Sequence, residues 1–315
     1  MARRWLKTHL REGLRLRDSL AISPRDQSYE DHEKGMEGYD VARASSPETI
    51  LRSYFYGAQY GRLERCYGFI CECAFPAGQP ILSLACGNCA IETKLLMDGR
   101  DLVLSDLSRG GFVDAVLRLF PSARFGSLDI LAGGRLPGKR PQIVLAMNLI
   151  YLFDAAQLSR MFGNIRGLLP EGGHLVLDSA GSPPHWLPVF IKNHWTFWEG
   201  YPRAVLKSLK TRRRYWPQRQ DFGWMHESEE IVSSAEAQGF RLVKRRDYCH
   251  GIDFARIYPI YKLLSVFPAL MPAFALCGRI LGIPHTRMFL FEAVGDINPD
   301  PASTGRRSRR RDTSP

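Results

Sequence analysis

The residues best suited to bind a ligand lie at the ends of two apolar runs. The first run begins at Ile81 and leads into the turn C-G-N-C at residues 86–89, and the second run ends at Asp106. This pattern predicts a strand, a tight turn, a helix and a second strand. In such a unit the turn brings the backbone close to a ligand, and an acid about 20 residues further along accepts hydrogen bonds from ribose hydroxyls. The spacing of Gly87 and Asp106 therefore indicates a ligand that contains a nucleoside.

The turn contains too few glycines to favour a dinucleotide. Turns that bind a pyrophosphate follow the pattern G-x-G-x-x-G, because glycines let the main chain approach the phosphates. The corresponding positions here hold Ala85, Gly87 and Ala90. S-adenosylmethionine has no phosphates and relaxes this demand. The phosphate-loop motif G-x-x-x-x-G-K-S/T does not occur in the sequence, which sets nucleoside triphosphates aside.

Residues 81–89 resemble the first motif of the class I S-adenosylmethionine-dependent methyltransferases, which usually reads L-D-L-G-C-G-T-G. Cys86 and Gly87 match the motif. Ser83 stands where the family often has an acid, and Ala85 and Cys89 replace glycines. The resemblance implies S-adenosylmethionine as the cofactor.

Three further motifs of the family follow in order. Asp106 matches the acid that holds the ribose, and residues 127–130 match the third motif, whose acid usually faces the adenine amine. Residues 142–153 resemble the fourth strand and its turn, and residues 168–178 resemble the L-K-P-G-G stretch that leads into the fifth strand. The resemblance covers about residues 50–295. It specifies the cofactor more firmly than the acceptor, because the family acts on small molecules, lipids, RNA and protein.

The resemblance also implies a set of cofactor-binding residues. We expect Asp106 to accept hydrogen bonds from the ribose diol, and Gly87 to let the backbone approach the cofactor. Asp129 and Ile130 should flank the adenine, and Asn148 should lie near the methionine end. The full predicted set is Tyr60, Ser83, Ala85, Cys86, Gly87, Asn88, Asp106, Leu107, Asp129, Ile130 and Asn148.

The elements that position these residues alternate between strands and helices, as a doubly wound α/β sheet requires. We expect a Rossmann-like, seven-stranded sheet of the class I methyltransferase type, with an N-terminal helical cap and a lid insertion. Predicted strands cover residues 81–85, 101–106, 123–128, 142–147, 173–178, 240–248 and 287–294, and predicted helices cover 90–98, 109–119, 155–168 and 228–238. The resemblance implies that the last strand runs antiparallel. Asp154 and Gln157 predict a capping box.

The chain ends differ from the core in composition. Leu6, Leu10 and Leu14 recur every four residues beside a row of basic residues. This spacing predicts a basic amphipathic helix over residues 1–20, in an N-terminal segment that spans 1–49. Such a helix could lie on an anionic membrane or dock on the core. The methyltransferase domain should span 50–295, and the Pro-, Ser- and Arg-rich residues 296–315 predict a disordered basic tail.

Two insertions extend the predicted domain. Residues 179–226 combine tryptophans with a basic cluster and should hang over the carboxyl edge of the sheet, so we expect an acceptor lid there. Residues 256–284 are strongly apolar, but Pro268 and Pro272 interrupt them, which argues against a membrane span. A helical insertion that lines an apolar acceptor pocket, rests on a bilayer or packs in the core fits this segment.

Charge and cysteine content narrow the partners and the compartment. The 315 residues carry a net charge of +11, and much of the excess lies in three basic clusters. Such clusters bind the phosphates of nucleic acid or anionic lipid, or they simply form solvated surface. Nucleic acid is not favoured, since no RNA-binding signature accompanies the clusters. Seven cysteines in a chain without a secretory signal favour reduced thiols and a cytoplasmic location. In the cytoplasm, residues 1–20 could still bring the protein into peripheral contact with a membrane. We expect the C-x-C and C-x-x-C pairs to be small buried residues that bind no metal. The alternatives are a zinc site formed by both pairs and a redox dithiol formed by the C-x-x-C pair.

The catalytic residue is less constrained than the cofactor site. A general base is needed only when the acceptor holds its proton at neutral pH, and histidine or tyrosine suits that role. The candidates are His185, His194, His250 and Tyr151. Three functions stay open. The protein could methylate a hydrophobic or aromatic small molecule, which could itself be lipid-like. It could instead methylate RNA or protein, or it could bind the cofactor without catalysing a reaction. The acceptor atom and the oligomeric state are not specified by the sequence.

Overall fold

A seven-stranded sheet forms the centre of the protein in a computed structural model. The structure describes residues 3–13, 46–54, 61–132, 139–179, 196–251, 254, 260, 263–264, 266–282 and 284–295. The strands are β1 (Arg3–Glu12), β2 (Ile81–Leu84), β3 (Leu102–Asp106), β4 (Arg124–Ser127), β5 (Ile143–Ala146), β6 (His174–Ser179), β7 (Tyr215–Met225), β8 (Phe240–Tyr248) and β9 (Thr286–Ala293). The central sheet has the order β4-β3-β2-β5-β6-β9-β8. Strand β9 runs antiparallel to both of its neighbours, and the other four pairings of the order are parallel. The predicted fold class is therefore confirmed.

Helices cover both faces of this sheet. They are α1 (Pro47–Tyr54), α2 (Arg62–Glu72), α3 (Ala90–Met97), α4 (Gly111–Leu119), α5 (Ala155–Leu168), α6 (Thr196–Thr211), α7 (Ser228–Glu236) and α8 (Met271–Ile280), with short 3-10 turns at Ile150–Leu152 and Pro268–Leu270. Strand β2 shows why two layers are needed. Ile81 packs into the core with α2, α3 and α4, whereas Leu82 and Leu84 pack into the core with α5 and α7. Adjacent residues of a strand point to opposite faces, so a continuous apolar run demands cover on both.

The predicted capping box at the start of α5 is confirmed. The Asp154 carboxylate accepts a hydrogen bond from the Gln157 backbone N–H at 2.9 Å, and the Gln157 side chain accepts from the Asp154 N–H at 3.0 Å. These bonds satisfy N–H groups that have no partner inside the helix. The helix that follows β5 therefore begins at a defined residue, which fixes the turn between them.

The predicted amphipathic helix over residues 1–20 is wrong for the part that the structure describes. Residues Arg3–Glu12 form strand β1, which pairs antiparallel with β7 from Arg3 opposite Met225 to Glu12 opposite Tyr215. A spacing of four residues puts Leu6 and Leu10 on one face of a helix and equally on one face of a strand. The pairing with β7, which sequence spacing cannot reveal, decides between the two. Leu14 lies outside the described residues.

Strands β1 and β7 form a separate two-stranded sheet, here called the ribbon. Helix α6 packs on the ribbon: a methyl group added at Gly200 would lie 2.7 Å from the Pro217 side chain and 3.1 Å from Thr8. The segment predicted as a lid, 179–226, thus supplies α6 and half of the ribbon, and its residues 180–195 lie outside the described part. Of the apolar insertion 256–284, the structure describes α8 and a few residues before it. Within the described residues, no helix combines the length and apolarity that crossing a membrane requires.

Candidate functional site

The turn after β2 keeps a left-handed backbone at alternate residues. Ala85 and Gly87 both have φ of 51°, and Cys89 has φ of 54°. Only one of these is glycine, and a non-glycine residue in this conformation is less stable by about 1–2 kcal/mol. Strain of this kind persists where the surrounding structure enforces it, and it concentrates at functional sites. Two residues of the turn that are not glycine, Ala85 and Cys89, are therefore held in a strained backbone conformation.

Asp106 lies against this turn, as the motif spacing predicts. One carboxylate oxygen accepts from the Gly87 backbone N–H at 3.1 Å, and the other accepts from the Leu107 N–H at 2.8 Å. Each carboxylate oxygen can accept a second hydrogen bond. The half-buried side chain is therefore held at the carboxyl end of β3 with capacity left for two donors, which suits a vicinal diol.

The turn after β4 is held by its own side chain and by α5. The Asp129 carboxylate accepts from the Leu131 N–H at 2.9 Å. The Asn164 side chain, on α5, donates to the carbonyl of Ile130 at 2.6 Å and to that of Leu131 at 3.2 Å. These bonds fix the turn at the same edge of the sheet as Asp106. Sequence reasoning missed Asn164, because a lone asparagine inside a helix carries no motif.

Ser83 meets an acid that the sequence comparison did not anticipate. Its buried hydroxyl donates to the Glu92 carboxyl at 2.5 Å, and both residues lie inside the core between β2 and α3. Burial raises the pKa of Glu92 to about 7, although the hydrogen bond from Ser83 acts in the opposite direction. A carboxyl from α3, nine positions later in the chain, thus lies against the Ser83 side chain. A direct contact of Ser83 with the cofactor stays a prediction.

A buried ion pair joins three elements at the carboxyl ends of β5 and β6. The Arg62 guanidinium, at the start of α2, pairs with the fully buried carboxylate of Asp178. Asp178 also accepts the backbone N–H of Asn148, whose left-handed φ of 55° turns the chain after β5. The Arg62 Nε donates to the Thr286 hydroxyl of β9 at 3.2 Å. The exposed Asn148 is therefore positioned by charges beneath it, and Arg62 was missed because its partner is distant in sequence.

An aromatic cluster covers the turn that follows Asn148. The Tyr151 ring stacks on Phe222 of the ribbon, with centroids 5.0 Å apart and an angle of 11° between the planes. Trp5, also on the ribbon, meets Phe222 edge to face at 4.5 Å and Tyr151 at 6.0 Å. A methyl group added at Gly223 would come within 2.2 Å of the Tyr151 carbonyl oxygen. The ribbon therefore rests directly on the carboxyl edge of the sheet.

The catalytic candidates divide by position. Tyr151 follows β5, the strand next to β2. His250 follows β8, four places from β2 in the sheet, or roughly 19 Å at a strand spacing of about 4.8 Å. Burial lowers the pKa of His250, so its imidazole is neutral at pH 7. His185, His194 and the cofactor candidate Tyr60 lie outside the described residues. A catalytic role for any of the four candidates stays a prediction.

The cysteines of the turn are free and buried. Cys86 and Cys89 share a hydrogen bond, and this bond together with burial raises the pKa of the Cys89 thiol well above its ordinary value. A thiol that holds its proton is a weak nucleophile and a weak metal ligand. Across the described ranges no group of three or more histidine, cysteine, aspartate or glutamate side chains could hold a metal ion. Both thiols thus lie buried within the turn.

The similarities to known proteins lie in the fold. No protein-family model and no curated protein sequence matches the chain. Magnesium protoporphyrin IX methyltransferase from Synechocystis, solved with bound SAH, is 14% identical and covers 85% of this chain and 97% of its own, with a TM-score of 0.48. Geranyl diphosphate C-methyltransferase from Streptomyces coelicolor is 14% identical over 79% of this chain and 80% of its own, with a TM-score of 0.47. The cyclase SpnF is 12% identical over 87% of this chain and 98% of its own, with a TM-score of 0.49.

At these identities and TM-scores the similarity assigns neither a family nor a reaction. The sheet order itself, with one antiparallel strand beside β6, agrees with the resemblance in the motifs. The chain has a Rossmann-like fold of the class I methyltransferase type.

Proposed function

We propose that this protein is an S-adenosylmethionine-dependent methyltransferase that acts on a small apolar or aromatic acceptor. The single observation that supports it most is the contact between Asp106 and the Gly87 backbone N–H. This contact places a carboxylate with free acceptor capacity beside a left-handed turn at the carboxyl edge of a parallel sheet, where nucleoside ligands bind.

The described residues fit the proposed cofactor. Asp106 would hold the ribose diol, and the backbone of residues 85–89 would face the methionine portion. Leu107, an apolar side chain left 40% exposed next to Asp106, offers a surface that an adenine ring would cover. Asp129 and Ile130 would bound the adenine from the turn after β4. The bound cofactor supplies an electrophilic methyl group on a sulfonium.

The protein's part in such a reaction is to align the acceptor and to exclude water. Alignment alone is worth roughly 7–11 kcal/mol in well-oriented intramolecular reactions. The stacked Tyr151 and Phe222 rings, which Trp5 meets edge to face, would form an aromatic wall beside the turn that follows Asn148. An aromatic wall favours a flat or apolar acceptor over a strongly hydrated one. Of the two described candidates, Tyr151 lies nearer to the cofactor half, and its phenolate could take a proton from such an acceptor.

Calorimetry with S-adenosylmethionine and S-adenosylhomocysteine tests the cofactor part of the proposal. Asp106→Ala should weaken binding by about 2–3 kcal/mol, because the variant loses hydrogen bonds to a charged group. That loss is roughly 30- to 150-fold in affinity. Asp101→Ala is the matched control, since Asp101 precedes the same strand at its opposite end and pairs with Arg124 on the surface. Unchanged affinity in Asp106→Ala would contradict the assignment of the ribose site.

Transfer of a labelled methyl group identifies the acceptor class. The purified protein is incubated with labelled cofactor and a fractionated cell lysate, and the product is separated into organic extract, RNA and protein. Label in the organic extract is expected. Label in RNA or protein would favour the second class of acceptor, for which the basic clusters are the motivation. Cofactor binding without transfer to any fraction would indicate a binding protein.

A further inference from the structure

Helix α6 carries apolar side chains on its solvent side. Four of them are more than half exposed: Trp198 at 62%, Val205 at 57%, Leu206 at 66% and Leu209 at 72%. The opposite side of the helix meets the ribbon through Gly200 and the buried Ala204. One side of α6 is therefore packed against the ribbon, and the exposed apolar residues lie on the side that faces solvent.

The exposed half of α6 is divided into two strips. At about 100° per residue, the four apolar residues fall within an arc of about 100°, here called the apolar strip. The basic strip comprises Arg203, Lys207 and Lys210, which fall within an adjoining arc of about 60°. Three further arginines, Arg212, Arg213 and Arg214, follow the helix and are exposed. One surface thus presents apolar side chains beside a concentrated positive charge.

This combination fits the surface of an anionic lipid bilayer better than other partners. A helix with an apolar strip beside lysines and arginines lies in the interface plane, with the apolar side chains among the acyl chains and the charges at the phosphates. Tryptophan is enriched at that depth, which suits Trp198. RNA would use the basic strip and leave the apolar strip in water. A second copy of the chain would cover the apolar strip but bring two positive surfaces together.

A second exposed apolar surface lies at the same edge of the sheet. In α8, Leu276 and Ile280 are exposed, as are Val266 and Phe267 shortly before it. Helix α8 packs against Gly251, which follows the carboxyl end of β8, since a methyl group added there would lie 2.7 Å from the α8 backbone. Strand β8 is parallel to β6, so this end coincides with the edge on which the ribbon rests.

We propose that α6 binds the surface of an anionic bilayer through its apolar and basic strips. The ribbon connects this helix to the site, because Gly200 of α6 packs on Pro217 and Phe222 of the same strand stacks on Tyr151. A bilayer bound to the outer side of α6 would thus be linked to the aromatic cluster through the ribbon. Membrane binding also extends the proposed function, and this part rests on that function. It adds that the apolar acceptor is a membrane-dissolved molecule that reaches the site from the lipid phase.

Co-sedimentation with vesicles tests the proposal on the full chain without any cofactor. We expect binding to vesicles of phosphatidylcholine with phosphatidylglycerol, weak binding to phosphatidylcholine alone, and loss of binding as salt rises. The double variant Leu206→Glu/Leu209→Glu should lower the partition coefficient by roughly tenfold for each leucine. Arg203→Gln/Lys210→Gln should lower it roughly fivefold for each charge, on anionic vesicles only. Met97→Glu, at an equally solvent-facing position on α3, should leave it unchanged.

Three results would overturn the proposal. They are no sedimentation of the wild type with anionic vesicles, equal sedimentation of the double glutamate variant, and a concentration-dependent dimer that the glutamates abolish in the absence of vesicle binding. Circular dichroism melting of each variant verifies that it is folded. Calorimetry with S-adenosylmethionine separates the two proposals. Normal cofactor affinity with no vesicle binding removes only the membrane surface, whereas vesicle binding without cofactor affinity removes only the methyltransferase.

Discussion

Replacing Glu92 by glutamine should make the stability of the protein less dependent on pH. The Glu92 carboxyl lies in the core with the Ser83 hydroxyl, and burial raises its pKa from 4.5 to about 7. Between these two pH values the folded protein keeps a proton that the unfolded chain releases. The free energy of unfolding therefore falls as pH rises through this window, and the stabilising contribution of the neutral carboxyl is complete only below the lower pKa.

The gap between the two pKa values sets the size of the effect. It corresponds to about 3 kcal/mol over the whole window. Glutamine keeps a neutral polar group of the same shape and can still accept the Ser83 hydrogen bond. The wild type and Glu92→Gln should therefore have similar stability at pH 5, and the variant should gain roughly 2–3 kcal/mol over the wild type by pH 8.

Urea unfolding at pH 5, 6, 7 and 8 measures this difference, because contributions of all other titrating groups cancel between the two proteins. Glu236→Gln is the matched control. Glu236 is the exposed last residue of α7, and its replacement should shift stability equally at every pH. A difference between wild type and Glu92→Gln that stays constant from pH 5 to pH 8 would refute the reasoning, since it would mean that Glu92 titrates alike in the folded and unfolded states.

Other substitutions test the strain and the buried contacts of the site. Ala85→Gly should raise the free energy of unfolding by up to about 1 kcal/mol, because glycine adopts the left-handed conformation without strain. Ala115→Gly in α4 is the control and should lower it by about 1 kcal/mol or more. The urea unfolding midpoints of the two variants should therefore shift in opposite directions. Arg62→Met should destabilise the protein by about 3–5 kcal/mol because it leaves a buried carboxylate without its counter-charge. Adding Asp178→Leu should recover much of that loss, as measured by thermal unfolding. Additive losses of stability in the double variant would contradict the pairing. Gly223→Ala should displace the ribbon and shift tryptophan emission to longer wavelength, because Trp5 becomes exposed to water, with little change in cofactor affinity; an unaltered emission maximum would count against the close contact.

The central sheet could be predicted because its signals are local. The predicted helix at 155–168 and the predicted strand at 240–248 coincide with α5 and β8, and the other predicted strands of the sheet differ from the structure by one residue at one or both ends. Buried parallel strands are continuous apolar runs, and each is closed by a turn that the sequence marks. The contact of Asp106 with Gly87 was likewise predictable from spacing, since the helix between them has an ordinary length.

The ribbon could not be predicted because its two strands are far apart in sequence. The four-residue spacing of Leu6 and Leu10 fits a helix and a strand equally, and the partner strand begins at Tyr215. The contact of Trp5 with Phe222 depends on that pairing and was missed with it. Glu92 was missed for a different reason. The absence of an acid at Ser83 favours the non-catalytic alternative in the sequence, whereas the structure places the buried Glu92 carboxyl of the following helix against the Ser83 hydroxyl.

The two halves of the proposed site differ in how the chain builds them. The cofactor half comes from one continuous stretch, residues 81–131, in which each strand end lies next to the one before it. The half beyond Asn148 is assembled from the ribbon, the turn at Tyr151 and the Arg62–Asp178 pair, which come from separate parts of the chain. A change in the ribbon alters the aromatic wall without moving Asp106 or the turn at Gly87. Under the proposed function, acceptor choice would therefore change through the ribbon and α6 while cofactor binding is retained.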